Sequence, residues 1–121
     1  MGEAPIAHLA AHAYRIPTDA PEADGTFAWN ATTVVVVEIE AGGVKGLGYS
    51  FAGAASAQIV LHVLADAICG LDAFAIPKAW AAMVAAVRNI GWRGVSACAI
   101  SAVKIALAGG AAAAAARPAA R

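Results

Sequence analysis

Acidic and histidine side chains are the residues of this sequence whose types and spacing could do chemistry. Asp19, Glu22 and Asp24 cluster in one short stretch, and paired carboxylates can serve as general acid and base. The same carboxylates can also solvate a loop or cap its turns, and the Asp-Gly pair at residue 24 is a common turn signal. His8 and His12 share a face in either a helix or a strand, but two histidines without a third ligand do not make a zinc site. The residues therefore predict no catalytic group and no metal site in this chain.

The glycine-rich run Gly42–Gly48 looks at first like a phosphate-binding loop. Its spacing does not match GxxxxGK[ST], and it does not lead from a strand into a helix N-terminus, where backbone amides would meet a phosphate. We interpret these residues as turn glycines. Cys69 and Cys98 lie in apolar surroundings without metal-like spacing, which predicts reduced thiols in the core of a cytoplasmic protein.

Composition bounds the possible partners. The chain has 121 residues, eight basic and eight acidic, and a net charge of zero. The absence of a basic face argues against nucleic acid as a partner, and the first nine residues lack the pattern of a secretory signal. The apolar run Val95–Ala116 is mostly alanine, has Lys104 near its middle and is broken by glycines, so we predict a packed helix rather than a membrane span.

A β-hairpin is the clearest element that could position these side chains. The stretch Thr32–Tyr49 alternates with period two, contains four consecutive valines and has Gly42-Gly43 where a tight turn needs positive φ. Its return strand carries Gly46 and Gly48, which predicts that another element packs closely on the backbone. Ile6–Ile16 could be a helix or a strand; we predict a strand, which completes a three-stranded meander.

The stretch Pro17–Asn30 connects the first two strands. Its prolines, acids and Gly25 predict a long loop without regular structure, and long loops are commonly functional. Phe27 and Trp29 lie near its end, where they either dock on the domain's own core or face a ligand.

The apolar period changes from 2 to 3.6 after Ala55, which predicts three helices. Ser56 is the expected N-cap of the first helix, Pro77 opens the second, and the third begins near Gly94–Ser96. The predicted fold class is α+β: a three-stranded antiparallel meander sheet followed by a three-helix bundle. We assign residues 1–107 to this domain and residues 108–121 to a low-complexity, alanine-rich tail that we expect to be frayed.

Three motifs in this order resemble the N-terminal capping domain of the mandelate racemase / muconate lactonizing enzyme group of the enolase superfamily. They are PEADGTFAW before the valine strand, the G-x-G-Y return at Gly46–Tyr49, and RN-x-G followed by AISAV-x-IAL up to Leu107. The resemblance covers residues 6 to 107. It implies an enolase N-terminal domain-like fold, which packs over the mouth of a (β/α)₈ barrel in the same chain.

The resemblance also implies a function. In the family, the barrel holds Mg²⁺ and the bases that take a proton from the carbon next to a carboxylate, and the metal stabilises the enediolate. The cap closes two loops over the substrate, matching Pro17–Trp29 and the region around Tyr49–Ala55. By loop position, the expected substrate contacts are Asp24, Phe27, Trp29 and Tyr49. The intact enzyme would be an isomerase or lyase that racemises, epimerises or dehydrates a carboxylic or sugar acid.

The sequence departs from the family pattern near its end. Family members usually have Asp where Lys104 stands, and Leu107 is followed by glycines and alanines instead of a run into the barrel. We expect a fragment from a truncated or frame-shifted reading frame, which is inactive alone and contains no cofactor. The alternative is a free-standing interaction module that binds a partner barrel or self-associates through the exposed barrel-facing surface.

Overall fold

The computed structural model describes residues 4–116. Three antiparallel strands form one sheet in the order β1-β2-β3, with β1 at Ile6–Ala23, β2 at Ala28–Ala41 and β3 at Val44–Phe51. Helices follow the sheet, so the predicted α+β meander with a helical bundle is confirmed.

Strand β2 lies at the centre of the sheet and sets its two faces. Val35, Val37 and Ile39 point into the core, while the residues between them lie on the outer face. Gly42 and Gly43 close the β2–β3 turn with φ of +57° and +73°, conformations that favour glycine. The prediction of a tight hairpin at this position is therefore correct.

The prediction of an irregular loop over Pro17–Asn30 is wrong for most of its length. Strand β1 continues to Ala23 and β2 begins at Ala28, so the stretch is a β-hairpin. Within this stretch the ladder is offset between the pairs Pro17↔Ala31 and Glu22↔Trp29. Because β1 is an edge strand, the missing N–H groups of its prolines cost few hydrogen bonds of the ladder. Pro21 lies within the offset, where the residues of β1 are not paired one to one with β2.

The first helical rod covers Ala54–Ile68 and consists of α1 (Ala54–Ile59), a π-helical segment (Val60–Leu64) and α2 (Ala65–Ile68). Its N-cap is Gly53, so the prediction of Ser56 as the cap is wrong. Ser56 is buried, and its Oγ donates to the carbonyl oxygen of Val95 at 2.9 Å. This bond joins the start of the first rod to the start of the last helix.

The second helix, α3, covers Ile76–Ala86 and has Pro77 in its first turn, as predicted. Met83 and Val87 are fully buried, whereas Trp80 is 41% exposed and packs edge-to-face on Trp92. Cys69, predicted as a core thiol, is exposed, because it follows the last residue of α2.

The last helix, α4, covers Val95–Ala115 and packs across the backbone of β3. A Cβ built on Gly46 would lie 2.0 Å from the carbonyl oxygen of Ala106, and one on Gly48 would lie 2.1 Å from that of Ala102. The predicted close approach is therefore α4 itself. Only residues without a side chain allow a helix and a strand to pack at this distance.

The expectation of a frayed segment from Ala108 is wrong for residues 108–115, which continue α4. Gly109 and Gly110 cost helix propensity, but they lie against the backbones of Leu47 and Gly46, and this packing compensates. The remainder of the predicted tail, residues 117–121, lies outside the described residues. The division into two segments after residue 107 stays a prediction.

Helix α4 is long and apolar enough to cross a membrane by length and composition alone. The core helix of a globular domain passes the same test, and one face of α4 is buried against the sheet. The finding is therefore weak evidence for a membrane span.

Candidate functional site

The β1–β2 hairpin projects beyond the rest of the domain as an arm, which we define as residues Ile16–Asn30. The last pair between β2 and β3 is Val34↔Phe51. The two-stranded hairpin continues for six residues beyond it, from Val34 to Ala28, or roughly 20 Å at about 3.3 Å per residue. No residue of the arm is buried. The arm therefore contributes nothing to the core and is available for contact with another molecule.

The tip of the arm is closed by the side chain of Asp24. Its Oδ1 accepts hydrogen bonds from the backbone N–H of Thr26 at 2.7 Å, the backbone N–H of Phe27 at 2.8 Å and the hydroxyl of Thr26 at 3.0 Å. These bonds favour the charged carboxylate and lower the pKa of Asp24 below its usual value of 3.8. The backbone N–H of Asp24 also donates to the carbonyl oxygen of Phe27 at 2.9 Å, so Asp24 fixes the turn from both sides.

Two aromatic rings flank this turn. Phe27 and Trp29 stack with ring centroids 6.3 Å apart and an angle of 24° between their planes. The indole Nε1–H of Trp29 donates to Glu22 Oε2 at 2.9 Å across the hairpin. Phe27 is 67% exposed, so the alternative that this ring docks on the domain's own core is wrong. The tip therefore presents an aromatic surface whose orientation is set by carboxylates.

Tyr49 lies elsewhere. It belongs to strand β3 rather than to a loop, is 54% exposed, and contacts Phe51 edge-to-face at 6.0 Å. Its partner in the sheet is Val36, which lies seven residues along β2 from Trp29, or roughly 23 Å. The structure therefore brings together Asp24, Phe27 and Trp29 but not Tyr49.

Glu22 is the residue whose role the sequence reasoning missed. It had been grouped with Asp19 and Asp24 as a solvating or acid–base residue, whereas it orients the indole of Trp29. The signal was present in the sequence: Glu22 and Trp29 lie on opposite sides of the Asp-Gly turn at positions that pair in a hairpin.

The residues from Ala4 to Ala116 include no group of three or more His, Cys, Asp or Glu side chains arranged to hold a metal ion. Magnesium prefers carboxylate oxygens in octahedral geometry, and Asp24 Oδ1 already accepts three hydrogen bonds. The donor set of these residues therefore does not fit the magnesium that the family resemblance implies.

The two loop regions that the resemblance assigns to the substrate lie at the same end of the sheet. Strand β2 runs away from the arm, and β3 returns toward it and ends at Phe51. The short link Ala52–Gly53 then leads into α1. The base of the arm and the β3–α1 link therefore share one end of the domain, opposite the turn at Gly42-Gly43.

Comparisons with known proteins agree with this arrangement. Residues 13–120 match the family model described as the N-terminal domain of mandelate racemase / muconate lactonizing enzyme. No curated protein matches the sequence.

Solved structures match the fold closely. A mandelate racemase/muconate lactonizing enzyme-like protein from Rubrobacter xylanophilus is 47% identical with a TM-score of 0.83, and the match covers 85% of this chain and 29% of that one. A racemase from Streptomyces coelicolor A3(2), crystallised with magnesium, is 36% identical with a TM-score of 0.81 over 84% of this chain and 30% of that one. L-Talarate/galactarate dehydratase from Salmonella typhimurium LT2 is 26% identical with a TM-score of 0.81 over 93% of this chain and 31% of that one. The chain thus spans less than a third of the length of these relatives.

Proposed function

Because the chain belongs to the mandelate racemase / muconate lactonizing enzyme family of the enolase superfamily, we propose that it is the substrate-capping domain of a magnesium-dependent enzyme. That enzyme would remove a proton from the carbon next to a carboxylate and so racemise, epimerise or dehydrate an acid. The comparisons do not favour the alternative of a free-standing interaction module.

The observation that carries this proposal is the arm. It is a preformed hairpin with no buried residue, and its base lies at the same end of the sheet as the β3–α1 link. A lid has to reach beyond its own domain, exclude water and present side chains to a bound molecule. The arm meets these requirements without disturbing the core.

The named residues take different roles in this proposal. Phe27 and Trp29 are the contacts to the substrate, since the exposed ring of Phe27 and the half-buried ring of Trp29 stack at the tip. Asp24 holds the turn through its hydrogen bonds, and Glu22 holds the indole. Tyr49 borders the β3–α1 link from the outer face of the sheet.

The described residues take no part in holding magnesium, because their donor groups do not fit that ion. A base that accepts the substrate proton is likewise assigned to the part of the relatives that this chain does not cover. A cytoplasmic location and the absence of nucleic acid and membrane partners belong to the same proposal.

Isotope exchange tests the proposed function without knowledge of the substrate. The chain would be fused to the C-terminal barrel of the Rubrobacter xylanophilus relative, and a panel of 2-hydroxy acids, including mandelate and galactarate, would be incubated with it and magnesium in D₂O. We expect the fusion to replace the proton next to the carboxylate of at least one acid by deuterium, as followed by NMR. The relative with its own cap is the positive control.

The barrel without a cap and the chain alone serve as negative controls, and both should be inactive. If the fusion exchanges protons no faster than the barrel without a cap, the chain does not act as a cap and the proposal is refuted.

A further inference from the structure

The arm has one sign of charge. Residues 16–30 contain the three acids Asp19, Glu22 and Asp24 and no lysine, arginine or histidine. The same segment presents the exposed ring of Phe27, stacked on the half-buried ring of Trp29. A ligand end that lies against the tip of the arm therefore meets aromatic surface and negative charge. The nearest cation along the strand, Arg15, lies at the base of the arm, where its Nη2 donates to Asn30 Oδ1 at 3.4 Å.

The negative charges lie beside the rings rather than away from them. Glu22 Oε2 is 2.9 Å from the indole nitrogen of Trp29, and Asp24 accepts a hydrogen bond from the backbone of Phe27. Asp24 is ionised at neutral pH, as an ordinary aspartate is, and its turn hydrogen bonds lower its pKa further. Two of the three charges are thus fixed in position by the hydrogen bonds that orient the rings.

We propose that the arm selects a monocarboxylic acid whose far end is aromatic or otherwise apolar, and that it disfavours dicarboxylic sugar acids. This inference rests on the proposed capping function, in which the reacting carboxylate lies in the barrel and the far end of the substrate lies under the arm.

A second carboxylate at the far end of the substrate would lie near all three acids. Three like charges at about 10 Å through water-like surroundings weaken binding about tenfold at low salt, and less as salt screens them. An aromatic far end carries no such penalty and stacks on Phe27 and Trp29. The difference between the two classes of acid is therefore set by the residues of the arm.

Binding measurements on the fusion with the Rubrobacter xylanophilus barrel test this inference. The dissociation constants of mandelate, an aromatic monoacid, and galactarate, a sugar diacid, would be measured by calorimetry with magnesium at low salt. The test variant is Asp19→Asn/Glu22→Gln/Asp24→Asn, whose amide oxygens still accept the hydrogen bonds of the tip. We expect the ratio of the galactarate constant to the mandelate constant to fall about tenfold.

A control variant removes the same number of charges away from the arm. Glu38→Gln/Glu40→Gln/Asp66→Asn changes acids on the far half of β2 and on α2, and it should leave the ratio unchanged within twofold. The variant Trp29→Ala should weaken the binding of mandelate more than that of galactarate.

Each outcome decides between the two ideas. If neutralising the arm leaves the ratio unchanged, or changes it no more than the control variant does, the inference on substrate class is overturned while the capping function stands. If neither acid binds the fusion more tightly than it binds the barrel without a cap, the capping function itself fails, and the inference fails with it.

Discussion

Replacing Gly48 by alanine should destabilise the domain far more than such a small change normally does. The added Cβ would lie 2.1 Å from the carbonyl oxygen of Ala102 and 2.5 Å from the backbone nitrogen of Ala106. Both atoms belong to the backbone of α4, so no side chain can rotate away and the helix has to move off the sheet. The backbone of Gly48 is not at positive φ, so the cost comes from this contact and not from backbone strain.

The expected magnitude follows from the packing of α4. Overpacking a core typically costs about 1–3 kcal/mol, and we expect about 3 kcal/mol because the clash is with backbone and because Ala102 and Ala106 are fully buried at the contact. A domain of this length has a free energy of unfolding of roughly 6–18 kcal/mol. The loss should therefore leave a folded protein whose urea midpoint is lower by about 1–2 M.

Urea unfolding followed by far-UV circular dichroism measures this effect. Gly53→Ala is the matched control, since nothing lies within 4 Å of a Cβ at Gly53 and its φ of −72° suits alanine; it should change stability by less than about 0.5 kcal/mol. Gly46→Ala should resemble Gly48→Ala, and the double variant should lose less than the sum, because one displacement of the helix relieves both clashes. A Gly48→Ala protein as stable as the Gly53→Ala control would refute the close contact between α4 and β3.

Further predictions concern single groups. The Asp24 carboxylate should titrate below 3.8 by NMR, because the turn hydrogen bonds lower its pKa. Its stabilisation of the folded protein is fully present above the pKa that Asp24 has in the unfolded chain, and it is lost as the pH falls through the lower pKa of Asp24 in the folded protein. An Asp24 that titrates at its usual value would contradict this. Ser56→Ala should cost about 0.5–1.5 kcal/mol in urea unfolding, because it removes the part-buried hydrogen bond from Ser56 Oγ to the carbonyl oxygen of Val95, whereas an unchanged midpoint would exclude that role. Although Cys69 is an exposed residue, the atoms around its thiol partly desolvate it and raise its pKa, and the charge of Asp66 raises the pKa further. Asp66→Asn should therefore speed the reaction of this thiol with a disulfide reagent near pH 8; an unchanged rate would refute the contribution of Asp66.

Features that are determined by single residues or short sequence patterns could be predicted from the sequence. Gly42-Gly43 between alternating apolar residues gave the tight turn, and Gly46 with Gly48 gave the close approach of another element. Pro77 marked the start of α3. These features depend on the conformational freedom of single residues or on short periods, which a sequence displays directly.

The features that depend on distant partners could not be predicted in the same way. Pro17 and Pro21 argue for a loop, but on an edge strand their missing N–H groups leave few ladder positions empty, and the arm forms a hairpin. Gly109 and Gly110 predict a weak helix, yet α4 continues through both of them along the backbone of β3. In both cases tertiary packing decides the outcome against local propensity.

The candidate site was predictable in position but not in the roles of its residues. The arm stood out as a long acidic and aromatic connection, and Asp24, Phe27 and Trp29 indeed lie together at its tip. The sequence could not show whether a given carboxylate would contact a ligand or close a turn. The difference depends on whether nearby backbone N–H groups point at the carboxylate, which only the structure shows. Tyr49 was assigned by loop position, as part of the region around Tyr49–Ala55, whereas it lies within strand β3 on the outer face of the sheet.

The offset in the arm allows the tip of the hairpin to change without a change in the register of the core strands. Between Pro17 and Glu22 four residues of β1 stand opposite the single residue Asn30 of β2. An insertion or deletion at this joint would re-aim the tip without shifting the register of the valines that form the core. Homologous chains can therefore vary the length and composition of the tip while the register of the core strands, and with it the stability of the domain, stays unchanged.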